Sequence, residues 1–264
     1  MKKNWSFIIT SSYNNYLRNI VNDMWSDDLY FYSEGSDEDA NLTYYFSSIH
    51  LNHLTNPKDV FEYGFQLKSI FDGLSYLIYE DKNEYRPLKL GDLICINTKE
   101  IYSFPYSVPQ YPFDIDFSIN SSIYNILSDT LTKFISLATY DSFIINVLLI
   151  LSEGVSFRNS YQALDECKHF LSSKGKNIES LGFNKSELKR FTHTANSFAA
   201  IGREARHGSD NNSPPTNPMS LVDAQLLISK IIFQIIKNEY LIELPHIKSY
   251  KIIDDNEDWI NADF

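Results

Sequence analysis

The sequence predicts an α+β protein: a mixed N-terminal unit over residues 1–117, a helical bundle over 118–245 and an acidic tail over 246–264. Three observations carry this. Short runs of aromatic and β-branched residues bounded by polar turns fill much of the first hundred residues, as strands do. Phe104-Pro105, Val108-Pro109 and Tyr111-Pro112 then place three prolines in eight residues, each disfavouring helix at the residue before it. Beyond them the apolar residues recur every three or four positions, which is the period of a helix face. A chain of 264 residues also suits two units better than one.

The elements follow in order. Trp5 to Thr10, Leu29 to Tyr32 and Leu42 to Leu51 read as strands. Asn56-Pro57 supplies a helix cap and a proline at the first helical position, with Asp59 in the first turn. The helix they open carries Val60, Gly64, Leu67, Phe71, Leu74 and Ile78 on one face and should end near Tyr79. Tyr85 to Asn97 returns to strand. After the proline cluster, Ile123 to Leu137 marks a helix and Phe143 to Leu151 a second, strongly buried one. A third begins near Ser156, with Phe157, Tyr161, Leu164 and Leu171 inward. The fourth starts at Asn184 or Ser186 and is expected to run unbroken to Gly208. A polar, proline-rich loop follows, and Ser220 with Asp223 caps a last helix that is apolar almost all round, hence central in the bundle or at a subunit interface.

Composition narrows the function. Apolar residues at 43% and aromatics at 15% put the chain well outside the disordered regime. Its only cysteines, Cys95 and Cys167, have neither disulfide-framework nor zinc-ligand spacing. The apolar stretch near the N-terminus is too short for a signal peptide, and Phe143 to Leu151 is too short to span a bilayer. A cytoplasmic protein without a membrane segment is expected. Phosphate-loop, GxGxxG, GxSxG and HExxH motifs are absent from the sequence, so ATPase, dehydrogenase, elbow-hydrolase and zinc-protease readings lose their usual support. The pair His50 and His53 near Asp59 lacks a clearly placed third ligand and reads as strand-end chemistry, so no metal and no cofactor is expected.

The net charge of −11 is uneven: residues 1–117 hold −8 of it. Such a body repels bulk nucleic acid. Residues 185–207, however, set five bases (Lys185, Lys189, Arg190, Arg203, Arg206) against Glu187 and Glu204. On one continuous helix, Arg190, His193, Asn196, Ala200, Arg203 and His207 would form a polar stripe, with Phe191, Ala195, Phe198, Gly202 and Ala205 as the packing face opposite. RNA cleavage needs a proton taken from a 2′-hydroxyl, charge stabilised on phosphate oxygens and a proton given to the leaving oxygen. Histidine exchanges protons near neutrality and a guanidinium grips phosphate, so His207 and Arg203 are the candidate catalytic residues. Arg190, His193, Asn196 and Arg206 are candidate RNA or phosphate contacts. Arg and His in a last helical turn are also ordinary dipole partners, and the five bases read equally well as a solvated helix face. Asp165-Glu166 on the third helix is placed to face the stripe if the bundle aligns them.

Ala199-Ala200-Ile201-Gly202-Arg203-Glu204-Ala205-Arg206-His207-Gly208, ahead of a polar loop and a long final helix, resembles the HEPN superfamily (higher eukaryotes and prokaryotes nucleotide-binding) over about residues 120–243. In that family about four to six residues lie between Arg and His; here three lie between Arg203 and His207. The resemblance implies RNA as partner, a homodimer in which the Arg and His motifs meet, and, as in many members, metal-independent endoribonuclease activity in phage defence or toxin-antitoxin systems. Other members bind without cleaving. The alternative reading is therefore a non-catalytic binding or assembly module that dimerises through its bundle, while the acidic N-terminal unit recognises a protein or small ligand.

Overall fold

The computed structural model describes residues 4–10, 17, 29–35, 42–79, 85–104, 133–134, 137–138, 141–154, 156–206 and 214–244. The proline cluster, most of the helix expected over Ile123 to Leu137, Gly208 with the first half of the loop that follows it (209–213), and the acidic tail fall outside them. Both helices and an antiparallel sheet are present, as an α+β chain requires.

Five strands form the sheet: β1 (Trp5–Ile9), β2 (Tyr30–Glu34), β3 (Thr43–Ser47), β4 (Leu90–Cys95) and β5 (Ile101–Tyr102), in the spatial order β2-β3-β1-β4-β5. Every pairing is antiparallel. Alternation sets the faces. Phe7, Phe31, Phe46 and Leu93 are fully buried on the inner side, whereas Tyr30, Tyr32 and Tyr45 stack along the outer side with ring centroids 5.4 and 4.9 Å apart. The third expected strand is shorter than its apolar run, because Ser48 caps a 3₁₀ turn at Ile49–Leu51. The two-residue β5 is too short to show any alternation.

The inner sheet face packs on α1 (Pro57–Ile78), which begins and ends where its cap and apolar spacing place it. Asn56 Oδ1 accepts from the Lys58 N–H at 3.0 Å. Phe31 meets Phe71 at 4.5 Å and Phe61 meets Phe65 at 4.7 Å between ring centroids. The other side of α1 lies against α2 (Ser142–Ser152), so α1 is buried from both directions and one hydrophobic core runs from the sheet into the C-terminal helices. Two glycines set these spacings. A Cβ at Gly64 would stand 2.2 Å from the Phe7 ring, and one at Gly73 would stand 2.0 Å from the Leu148 carbonyl oxygen. Within α1, Asp72 is fully buried, accepts from the Leu88 N–H at 2.9 Å and pairs with Lys68. Burial pushes its carboxyl up to about 6, against the opposing pull of Lys68.

The C-terminal helices are α2, α3 (Phe157–Ser173), α4 (Lys185–Asn196), the single turn α5 (Phe198–Ile201) and α6 (Leu221–Tyr240). Side-chain oxygens cap the longer four: Asp141 for α2, Ser156 for α3, Asn184 for α4 and Ser220 for α6. α6 buries Ala224, Leu227, Ile228, Ile231, Ile232, Ile235 and Ile236, mostly against α3. Its C-terminal end is tied to the start of α2, since the Tyr240 hydroxyl donates to Asp141 Oδ2 at 2.8 Å. Among the described residues no helix is long and apolar enough to cross a membrane.

Candidate functional site

α4 is amphipathic. Leu188, Phe191, Thr194 and Ala195 are buried, with Phe191 stacked at 6.2 Å on Tyr161 of α3, while Lys185, Lys189 and His193 are exposed. The expected single helix to Gly208 does not form. α4 stops at Asn196, where Ser197 takes an extended backbone (ψ 108°), and α5 lasts only to Ile201. Gly202 then adopts φ 59° and ψ −131°, a region open in practice only to glycine, and starts a 3₁₀ turn over Gly202–Glu204. Asn and Ser compete with helix by bonding nearby backbone, which is the local reason for a stop at 196–197. Asn196 does so, its Nδ2 donating to the Thr192 carbonyl at 2.8 Å.

These breaks fold the arginines back. The Arg206 N–H donates to the Ala195 carbonyl at 3.0 Å, whereas eleven residues of continuous helix would carry Arg206 about 16 Å along the axis from Ala195. Arg206 is thus beside the end of α4. Its guanidinium lies over the Tyr161 ring, 4.6 Å from the centroid, with Nη2 4.0 Å from Asp165 Oδ2. Of the two acids of the third helix, Asp165 reaches Arg206, which is not one of the stripe residues, and Glu166 instead accepts from Asn146 Nδ2 at 3.4 Å. Asp165 is shared with Lys168, whose Nζ is 3.6 Å away. Arg203 is exposed on the 3₁₀ turn and has no acidic partner among the described residues.

The expected polar stripe is accordingly dispersed. Arg190 serves the fold: its Nε donates to the Asn217 carbonyl at 3.1 Å and its Nη2 to the Pro218 carbonyl at 3.0 Å, anchoring the approach to α6. The neighbouring Thr194 completes that anchor by accepting from the Met219 N–H at 2.9 Å. Asn196 is half-buried against its own helix. His193 is exposed one turn before the stop. On the packing side, Phe191 and Ala195 are buried as expected, but Phe198 is 44% exposed because α5 no longer continues the line of α4. His207 follows Arg206 directly and lies outside the described residues.

What the structure brings together is therefore Arg206 with Tyr161 and Asp165, while Arg203 stands exposed on the 3₁₀ turn just before it. The bracing pair carries no local motif, and only the aromatic at 161 and the acid one turn later, on the same helical edge, hint at it. His50 is buried in the middle of its 3₁₀ turn, its N–H donating to the capping Ser48, and His53 meets Tyr63 edge-on at 6.1 Å. Among the described residues no group of three or more His, Cys, Asp or Glu is placed to hold a metal ion.

No family model matches the chain, and no curated protein or solved structure matches it either.

Proposed function

We propose that this chain is an RNA-directed protein of HEPN type, a metal-independent endoribonuclease that works as a cytoplasmic homodimer in bacterial phage defence or a toxin system. The observation that supports it is the exposed 3₁₀ turn carrying Arg203 and, just after it, the braced Arg206, which leads directly into His207. Arg206 is held from the side by an aromatic face and a carboxylate, and Arg203 keeps its charge unpaired among the described residues. Two exposed guanidiniums three residues apart in the chain suit a phosphodiester that gains charge during reaction. In that reaction His207 takes the proton of the 2′-hydroxyl as its oxygen bonds to phosphorus. The phosphorus–5′-oxygen bond breaks, and the departing oxygen is protonated by a water to which the imidazolium of His207 gives up the proton it took, which restores the histidine. The products are a 2′,3′-cyclic phosphate and a 5′-hydroxyl end.

A second reading is favoured by where the other candidates go. Arg190 and Asn196 are engaged with backbone carbonyls, and Arg206 is shared with Asp165. Together with the three-residue spacing of Arg203 and His207, this suits a module that binds RNA or a partner without cutting. Overexpression in bacteria separates the two. A nuclease arrests growth, and both Arg203→Ala and His207→Ala relieve it at equal protein level. Arrest that persists in both variants overturns the nuclease assignment, and harmless wild type favours the binding module.

A further inference from the structure

A cleft of about 500 Å³ lies between the C-terminal half of α3, the segment Lys176 to Glu179 and α4. Its floor is apolar, formed by the buried Ile178 and Leu188. Its rim is cationic: Lys168, Lys176, Lys185 and Lys189 line it, against one acid, Glu179. Two of these lysines are already neutralised, Lys176 by Glu239 at 2.6 Å and Lys168 by Asp165 at 3.6 Å. Lys185 and Lys189 have no acidic partner among the described residues and stand one turn apart on α4. Like charges at that spacing destabilise a helix by a few tenths of a kcal/mol, and Glu179 is the one acid in the lining to set against them.

The cleft is also continuous with the arginine turn. Lys168 is on its rim and shares Asp165 with Arg206. Three residues of helix separate Asp165 from Lys168, about 4.5 Å along α3. Measured along α4 to Ala195, where the Arg206 N–H is bonded, Lys185 lies about 15 Å and Lys189 about 9 Å from the Arg206 end of the α3–α4 seam. No aromatic ring lines the cleft, so it offers charge to a backbone rather than a surface for stacked bases.

We infer that this cleft holds the phosphodiester backbone of a single-stranded RNA whose next phosphates reach Arg203 and Arg206, with Lys185 and Lys189 as its principal contacts. The inference rests on the RNA-directed reading above and assigns the path of the strand. Contacts of this kind fix position without reading sequence, and each one to a single strand adds about 0.7 to the slope of log affinity against log salt.

The test is fluorescence anisotropy of a labelled 2′-O-methyl oligouridylate, which lacks the attacking hydroxyl and so stays intact, with the full chain in EDTA, across a salt series. Wild type is compared with Lys185→Ala/Lys189→Ala, Lys185→Arg/Lys189→Arg and Arg203→Ala/Arg206→Ala. The double lysine-to-alanine variant is expected to lower the salt slope by about 1.4, two contacts at about 0.7 each, and the arginine replacement to restore it. Both lysines are exposed, so thermal melts should superimpose on wild type. If wild type binds, the Arg203→Ala/Arg206→Ala variant binds less and the lysine variant keeps the wild-type slope, the cleft assignment is overturned while the RNA reading stands. Absence of binding by wild type overturns both. Equal displacement of the RNA by polyglutamate at matched charge overturns the assignment to an RNA backbone.

Discussion

Replacing Gly73 with alanine tests how closely α1 and α2 are required to approach. The added Cβ would lie 2.0, 2.6 and 2.8 Å from the carbonyl oxygen, carbonyl carbon and Cα of Leu148. Carbon and carbonyl oxygen ordinarily come no closer than about 3.3 Å, so the helices must part by about 1.3 Å. The obstacle is backbone, which cannot swing aside as a side chain does. Overpacking of this kind costs about 3 kcal/mol at its upper end, and alanine returns about 1 kcal/mol of helix propensity. The net expectation is a loss of about 2 kcal/mol, read as a fall in Tm of about 4–8 °C for a chain of this size. Differential scanning calorimetry measures it. Truncating Leu148 to alanine should not rescue the variant, because the clash is with the main chain. A Gly73→Ala protein as stable as wild type, or rescue by Leu148→Ala, would refute the close approach as the reason for glycine here.

Three further outcomes follow from buried polar groups and from the braced turn. Asp72 has a native carboxyl raised to about 6 from an ordinary value near 3.8, so the native state holds its proton more tightly than the unfolded chain. Its contribution to stability is fully present below about pH 4 and is lost as pH rises through about 6, a change on the order of 3 kcal/mol. Urea midpoints of Asp72→Asn, which keeps an acceptor for the Leu88 N–H, should lack that decline, and parallel pH profiles for variant and wild type would contradict it. Thr194→Val leaves the Met219 N–H without its acceptor in a buried setting; the expected loss is about 1–3 kcal/mol by urea denaturation, and an unchanged midpoint would count against the anchor. Tyr161→Leu removes the ring beneath Arg206 and should weaken RNA binding several-fold with a change of less than about 1 kcal/mol in stability; binding at wild-type strength would show that the brace does not position the arginine.

Much of the frame was legible because it is locally encoded. Asn56-Pro57, Ser156, Asn184 and Ser220 each cap their helix with their own side chain, so the start is written where it occurs. Aromatic runs bounded by turns marked β1 to β3 for the same reason, and the buried stripe of α3 shows the period its sequence carries. The continuity of core across α1 and α2 was not legible, since the glycine that permits it looks like any other small residue on a helix. The break after Asn196 was hidden by periodicity: Phe198, Gly202 and Ala205 continue the apolar spacing of Phe191 and Ala195 while the backbone leaves the helix. Its stabilising bond, from the Arg206 N–H to the Ala195 carbonyl, joins residues that no local pattern connects. Arg190 shows the same limit. Its type suggested a phosphate contact, but its partners are carbonyls 27 and 28 residues onward in a loop. Arg203, expected to pair with His207 along a stripe, stands instead on a separate 3₁₀ turn, and the pairing falls outside the described residues because His207 does.

The most direct test of the RNA-cleaving assignment is incubation of purified wild type, Arg203→Ala and His207→Ala with total RNA and a defined tRNA in EDTA, with fragments resolved on a gel and their ends identified. The account predicts cuts by wild type alone, leaving 2′,3′-cyclic phosphate and 5′-hydroxyl ends. Cleavage that survives in His207→Ala, or fragments with other ends, would contradict it.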